Sequence, residues 1–379
     1  MRHVSHLVAG LLTLASWLPA VSCFVDIPFS KQYFGPDGPW QALSIQVGYF
    51  GESLQSINVY PAFLWNYAII FAPSTKSCAS SGSSTCLKAG GVTPLPKKNE
   101  TQVAYTYYTS GQSYAYNYSG YYDLTMNTKL SPAVQSFADT EVAVCDDSFY
   151  RYPSGIQQGT EVGLVTVGGG QTSQIESPEK FLMNLGDVKS DTFSLHIGSA
   201  PLQYPGSFIY GGYDKGRLIG SVASYRSNDV VKLKDIIIGV ETGASPFNFT
   251  SKTGLLGPVS DTLGPQNTFV NPANPYVRLP QDVLDGIVKF LPVRFDSASG
   301  YYLWQTNDPN YEKVVNSPAY LGFVFSALSA PGGNVTIKVP FPLLKLTLEK
   351  SVSTLSKDVP YLPLRKSLYA PKRWFDAND

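Results

Sequence analysis

From position 43 the chain alternates. Leu43, Ile45 and Val47 fall on one side of "LSIQV", with Ser44 and Gln46 on the other. That period of two is what a half-buried strand requires. "SINVYPAFLWNYAII" continues as a second strand, and its apolar run suits burial. Residues 103–130 carry eight tyrosines between positions 105 and 122. Aromatic rings pack well on pleated surfaces, so this stretch predicts hairpins, with a stacking platform for sugars or peptides as the second reading. "SPEKFLMNLGDV" breaks the alternation. Ser177 can cap, Pro178 suits the first helical position, Glu179 sits in the first turn and Gly186 stops the run. "LPQDVLDGIVKFL", residues 279–291, predicts a second helix. Residues 191–225 read as strand, loop, strand, turn, strand, and "NVTIKVPFPLLKLTLE" as strand then turn. The expectation is an all-β protein with a few short helices.

Composition agrees. The 379 residues include 33 Gly and 28 Pro, which suits many turns, and 43% are hydrophobic. That length allows two lobes of roughly 150–180 residues each. Lys+Arg and Asp+Glu both number 28, so no net field attracts nucleic acid or an anionic membrane surface.

The chain opens like an export signal over residues 1–22. Arg2 and His3 supply a basic start, "LVAGLLTLASWLPA" the apolar core, and Ala20 to Ser22 the small residues a signal peptidase reads. No later segment is apolar and long enough to span a bilayer as a helix. Four sequons follow, at Asn99, Asn117, Asn248 and Asn334. Together they predict a glycoprotein that is secreted or held at the cell surface. Cys78 and Cys86 flank the polar loop "ASSGSST", which can close a small disulfide. Two thiols without nearby His make a poor zinc site. If the signal is cut after Ser22, Cys23 remains and can bridge to Cys145. If Cys23 is removed, Cys145 is a lone thiol.

Candidate chemistry is sparse. His occurs at positions 3, 6 and 196, so any His-based triad would rest on His196, which alternates within "FSLHIG" as a strand residue would. No G-x-S-x-G elbow accompanies it. "VGGGQT" lacks the lysine of a phosphate loop and reads as a turn. No metal and no cofactor is expected. None of the 19 aspartates is followed by Thr-Gly or Ser-Gly. Asp261-Thr262-Leu263-Gly264 comes nearest, in a loop that reads as a linker.

One motif is specific. "GSFIYGGYDKGRLIGSV", residues 206–222, closely resembles the hairpin before the second catalytic strand of pepsin-like aspartic peptidases. "SIQVGY" with Gln55 is similar to the family's first hairpin, and "GYYDLT" to the strand returning from its flap. "TEVGLVTVG" resembles the segment with the buried Gly-Leu step. The Cys78–Cys86 loop lies where the family has a small disulfide loop. "VPFPLLKLTLE" and "YLPLRK" resemble the late C-terminal lobe of a fungal-type exported branch. The resemblance runs from about residue 30 to 366.

What it implies is a two-lobed, pepsin-like fold, with the N-terminal lobe over 23–188 and the C-terminal lobe over 189–379. It also implies two catalytic aspartates, each in Asp-Thr/Ser-Gly, sharing a proton to activate water. The first such position falls on Ala62, with Phe63 and Leu64 after it. The second falls on Asn271, followed by Pro272 and Ala273. The flap tyrosine falls on Tyr108. No acid lies within residues 53–98 or 262–281, so a slip of register does not restore the pair. From about residue 367 the chain departs from the family, ending in "SLYAPKRWFDAND" in place of closing strands, which reads as a truncated or alternatively spliced product.

The expectation is an exported glycoprotein, likewise monomeric, that does not cleave peptide bonds and that binds a peptide, protein or glycan in its inter-lobe cleft. Two alternatives stand beside it: an active aspartic endopeptidase with an unusual acid pair, and a structural cell-surface glycoprotein.

Overall fold

The computed structural model describes residues 24–48, 54–62, 68–71, 101–109, 112–127, 134–151, 157–159, 162–167, 177–218, 231–257, 266–268, 270, 272–326, 333–352 and 355–367. Strands dominate, with three short α-helices among these residues. The expected all-β class therefore holds.

After β1 (Val25–Ile27), the first half builds one large sheet. It contains β2 (Phe29–Phe34), β3 (Trp40–Gly48), β4 (Gln55–Ala62), β5 (Ala68–Phe71), β6 (Thr101–Thr109), β7 (Gln112–Asn127), β8 (Val134–Arg151), β9 (Gln157–Gly159) and β10 (Gly163–Thr166). The order is β2-β3-β4-β10-β5-β8-β7-β6, and an extra β3–β7 pairing closes the path on itself. Leu43, Ile45 and Val47 are buried inside it, as their alternation requires. The tyrosine-rich stretch is the β6–β7 hairpin.

β10 lies between β4 and β5, parallel to the first and antiparallel to the second. Gly163 is needed there for space: a Cβ would stand 2.5 Å from the Ile69 carbonyl oxygen. The buried Gly-Leu step expected from "TEVGLVTVG" is thus Gly163-Leu164 on β10.

Helix α1 (Pro178–Leu185) follows, with Leu182 buried in the same core. It stops at Gly186, whose φ of +83° is left-handed, and the Asp187 N–H reaches back to the Leu182 carbonyl at 3.0 Å. The Ser177 side chain makes no capping bond, contrary to its expected role. Its backbone carbonyl instead accepts from the Phe181 N–H at 2.9 Å. β11 (Phe193–His196) and β12 (Ser207–Tyr210) then join β1 in a three-stranded sheet, and Phe208 and Tyr210 pack into the first-half core.

The second half has three sheets among the described residues. β13 (Val231–Val240) pairs with β14 (Ser251–Lys252), β15 (Gln266–Thr268) and β19 (Ala319–Ser326), and β19 with β20 (Asn334–Pro340). β16 (Val277–Leu279) runs parallel to β23 (Leu364–Lys366). β17 (Val293–Asp296), β18 (Tyr301–Trp304), β22 (Val359–Leu362) and β21 (Leu346–Leu348) form the last sheet. Helix α2 (Gln281–Val288) fills the expected segment and buries Val283, Leu284 and Ile287. Helix α3 (Tyr311–Val315) buries Val314 and Val315 against the same core.

The halves meet at the turn between β2 and β3. Asp37 Oδ1 accepts from the Trp40 indole N–H at 3.0 Å, and Oδ2 from the Tyr301 hydroxyl at 3.4 Å. The Tyr361 hydroxyl donates to the Asp37 backbone oxygen at 2.6 Å. The Glu349 N–H donates to the Pro36 carbonyl at 2.8 Å. The Arg365 guanidinium lies over the Tyr301 ring, 4.4 Å from its centroid, and 4.9 Å from that of Tyr276.

Gly163→Ala tests the close approach of β10 and β5. The added methyl has backbone in its way, so thermal denaturation should show a lower Tm, equivalent to about 1–3 kcal/mol. An unchanged Tm would mean that β10 sits farther from β5.

Candidate functional site

β4 ends at Ala62. Its partner in the parallel register is Thr166, and the Val167 N–H donates to the Ala62 carbonyl at 3.0 Å. Ala62 is 1% exposed and forms a small apolar cluster with Leu164. Tyr60 and Ile69 pack against it from the same sheet, and Ala273 from the turn that precedes β16 in the second half. So Ala62, at the end of β4, and Ala273, from the second stretch that the resemblance singled out, come together in space. Each also adjoins a parallel strand pair, β4–β10 in one half and β16–β23 in the other. Pro272 and Ala273 are half-buried; Asn271, Phe63 and Leu64 lie outside the described residues.

The chemistry of the cluster is that of hydrocarbon. A methyl at position 62 cannot ionise, accept a proton or polarise water. Beside it, Thr166 is buried and its Oγ1 has no hydrogen-bond partner. A buried hydroxyl without an acceptor has given up its water for nothing.

Other expected positions scatter. Tyr108 lies on β6 opposite Ser113 on β7, one step from the end of the hairpin, and only its backbone is described. Asn248 is exposed in the loop after β13, while Phe247 and Phe249 on either side of it stack on each other at 5.0 Å and turn toward the core. Asn334 is exposed at the first residue of β20. Asn117 is on β7 with its side chain outside the described residues, as is that of Cys145 on β8. Asn99, Cys23, Cys78, Cys86, Asp261, the stretch 1–22 and the end from 368 also lie outside.

His196 closes β11 as an exposed strand residue. Its Nδ1 accepts from the Gly198 N–H at 3.0 Å and lies 3.2 Å from Arg217 Nη1. Partial burial, then the Arg217 charge, holds the imidazole below its ordinary pKa. Arg217 also bonds Asp214 at 3.2 Å and the Pro205 carbonyl at 3.0 Å. This knot ties the 197–205 loop to the 214–217 turn and sits on a different sheet from the cluster at Ala62. Among the described residues, no group of three or more His, Cys, Asp or Glu side chains could hold a metal, and no helix is long and apolar enough to cross a membrane.

Sequence reasoning did not find the Asp37 junction. A lone Asp in "GPDGPW" reads as turn chemistry, and its hydrogen-bond partners in the second half stand more than 260 residues away.

Thr166→Val replaces the orphaned hydroxyl with a methyl of the same shape. It should raise stability by about 1 kcal/mol, read as a higher Tm. A fall in Tm of that size would show that the hydroxyl has a partner. Ala62→Asp should lower Tm, and more so at pH 7 than at pH 4, because burial resists the ionised carboxylate. An equal loss at both pH values would place position 62 in contact with water. No protein-family model matches the chain, and no curated protein matches it.

Proposed function

We propose that the chain is an exported glycoprotein of two-lobed, pepsin-like architecture that has lost its acid pair and works by binding. It holds a peptide, a protein or a glycan in the cleft between its lobes. One observation carries the reading: the end of β4 and the turn before β16 converge, and they bring Ala62 and Ala273 into one apolar cluster. Two aspartates at positions 62 and 271 would share a proton and activate water; this chain has Ala62 and Asn271 there.

Further features agree. The Thr166 hydroxyl beside Ala62, which has no partner among the described residues, suits a site that has lost its polar neighbours. Parallel pairs at β4–β10 and β16–β23 suit a fold made of two similar lobes. Exposed Asn248 and Asn334 are accessible to glycosylation after export through the signal-like start. The transfer of recognition from active relatives to an inactive chain is argument by fold alone.

A pool of fluorescein-labelled random octapeptides, titrated with the purified protein at pH 4 and pH 6, tests this. The anisotropy should rise to saturation, and the peptides should be recovered at unchanged mass. Peptides recovered cut, with pepstatin preventing it, would overturn the reading in favour of an active endopeptidase with another acid pair, such as one using Asp261. A flat titration, with the protein retained in the cell-wall fraction through detergent and salt, would overturn it in favour of a structural glycoprotein.

A further inference from the structure

The sheet path β14-β13-β19-β20 ends on β20, and among the described residues no strand lies beyond it. β20 has seven residues and pairs with β19 along its whole length, from Tyr320↔Pro340 to Ser326↔Asn334, without a bulge. Its far side therefore offers an unbroken row of backbone N–H and C=O groups, the form of edge that accepts another strand.

The side chains show the same incompleteness. Val335, Ile337 and Val339 lie opposite Phe325, Phe323 and Leu321 of β19, and so share one face of the sheet with them. Val339 packs against the second-half core on that face, yet Ile337 is 53% exposed. The apolar face runs to the edge of the sheet and stops with an isoleucine in water. Covering it takes one more strand that is apolar on the same face.

β20 itself meets that need. A two-fold axis through the sheet edge sets β20 antiparallel to its copy and makes the contact self-complementary. With Ile337 on the axis, Ile337 meets Ile337 and Val335 meets Val339. Lys338 meets Thr336, so no like charges stand opposite each other. Lys338 is moreover engaged by Glu241 of its own chain. A slip of one residue would set Ile337 beside Thr336 and send one copy's apolar face to the wrong side of the sheet.

The last pair in this register is Asn334 with Pro340. Asn334 opens the sequon Asn334-Val335-Thr336, and it is exposed. A glycan on Asn334 stands where the copy's strand would have to lie, and the two-fold axis puts one at each end of the shared ladder.

We propose that β20 is a self-association edge guarded by glycosylation. With Asn334 glycosylated the chain stays single; with Asn334 bare, β20 pairs antiparallel with β20 of a second copy and joins the two sheets into one. The proposal takes from the functional reading only that the exported chain is glycosylated. It does not depend on what the cleft holds.

Glycopeptide mass spectrometry of the secreted protein should find the glycan at Asn334. Sedimentation at rising concentration should show the parent as a monomer throughout. Asn334→Gln should move reversibly toward twice the monomer mass, and the amides of 335–339 should gain protection from hydrogen exchange as it does. Asn248→Gln removes a sequon from a loop outside β20 and should stay monomeric. Adding Ile337→Lys to Asn334→Gln sets two lysines face to face and should weaken the dimer by about tenfold or more. The proposal is overturned if Asn334→Gln stays monomeric, or if it associates without protecting 335–339. It is overturned equally if Asn248→Gln associates as strongly, or if Ile337→Lys leaves the dimer intact. An Asn334 without a glycan in the secreted parent overturns the guard and leaves the peptide titration free to succeed, so the two readings fail separately.

Discussion

The turn that carries Asp37 is a polar contact between the two halves of this chain. Gly35 to Pro39 carries Asp37 against the second half, where Tyr301 and Tyr361 of the last sheet and Arg365 of β23 receive it. The contact is polar, yet it is walled by aromatic rings: Tyr301 lies 4.6 Å from Tyr361 and 5.7 Å from Tyr276, centroid to centroid. In such surroundings a hydrogen bond is stronger than in water, and an unmet polar group costs more. The turn therefore docks in one arrangement or not at all. Everything between the halves inherits that precision, including the approach of Ala273 to Ala62.

The approach of those two alanines carries the proposed function. Strands β4 and β10 reach the junction in parallel, and Gly163 lets β10 lie close against β5. In the second half, β16 leaves the junction beside β23 in the same sense. The two parallel pairs flank the place where Ala62 and Ala273 meet. What it presents is Ala62, Leu164 and Ala273, with the idle hydroxyl of Thr166 alongside. A scaffold that brings these segments together around an apolar cluster can still present a surface for recognition.

Much of this could be read from the sequence, because strands advertise themselves by local alternation. Leu43, Ile45 and Val47 declared their buried face, and Pro178 and Gly186 bracketed α1. Gly163-Leu164 stood out through its motif alone. The meeting of Ala62 with Ala273 leaves no local signal, since nothing in the alternation links residues so far apart. Ser177 misled because capping needs a side-chain geometry that composition does not encode, and here the backbone carbonyl does the work instead. The Asp37 junction was invisible for a related reason. Tyr276, Tyr301, Tyr361 and Arg365 each look like ordinary strand residues until folding gathers them around one carboxylate. Long-range polar contacts leave no period in a sequence.

The most direct test of the account is proteolysis of a denatured substrate at acid pH, with and without pepstatin, by the parent and by its Ala62→Asp, Asn271→Asp variant. The parent should release no peptides above background, and release by the variant alone would agree with a framework that lacks only its two carboxylates. Pepstatin-sensitive release by the parent would contradict the account by revealing a working acid pair elsewhere.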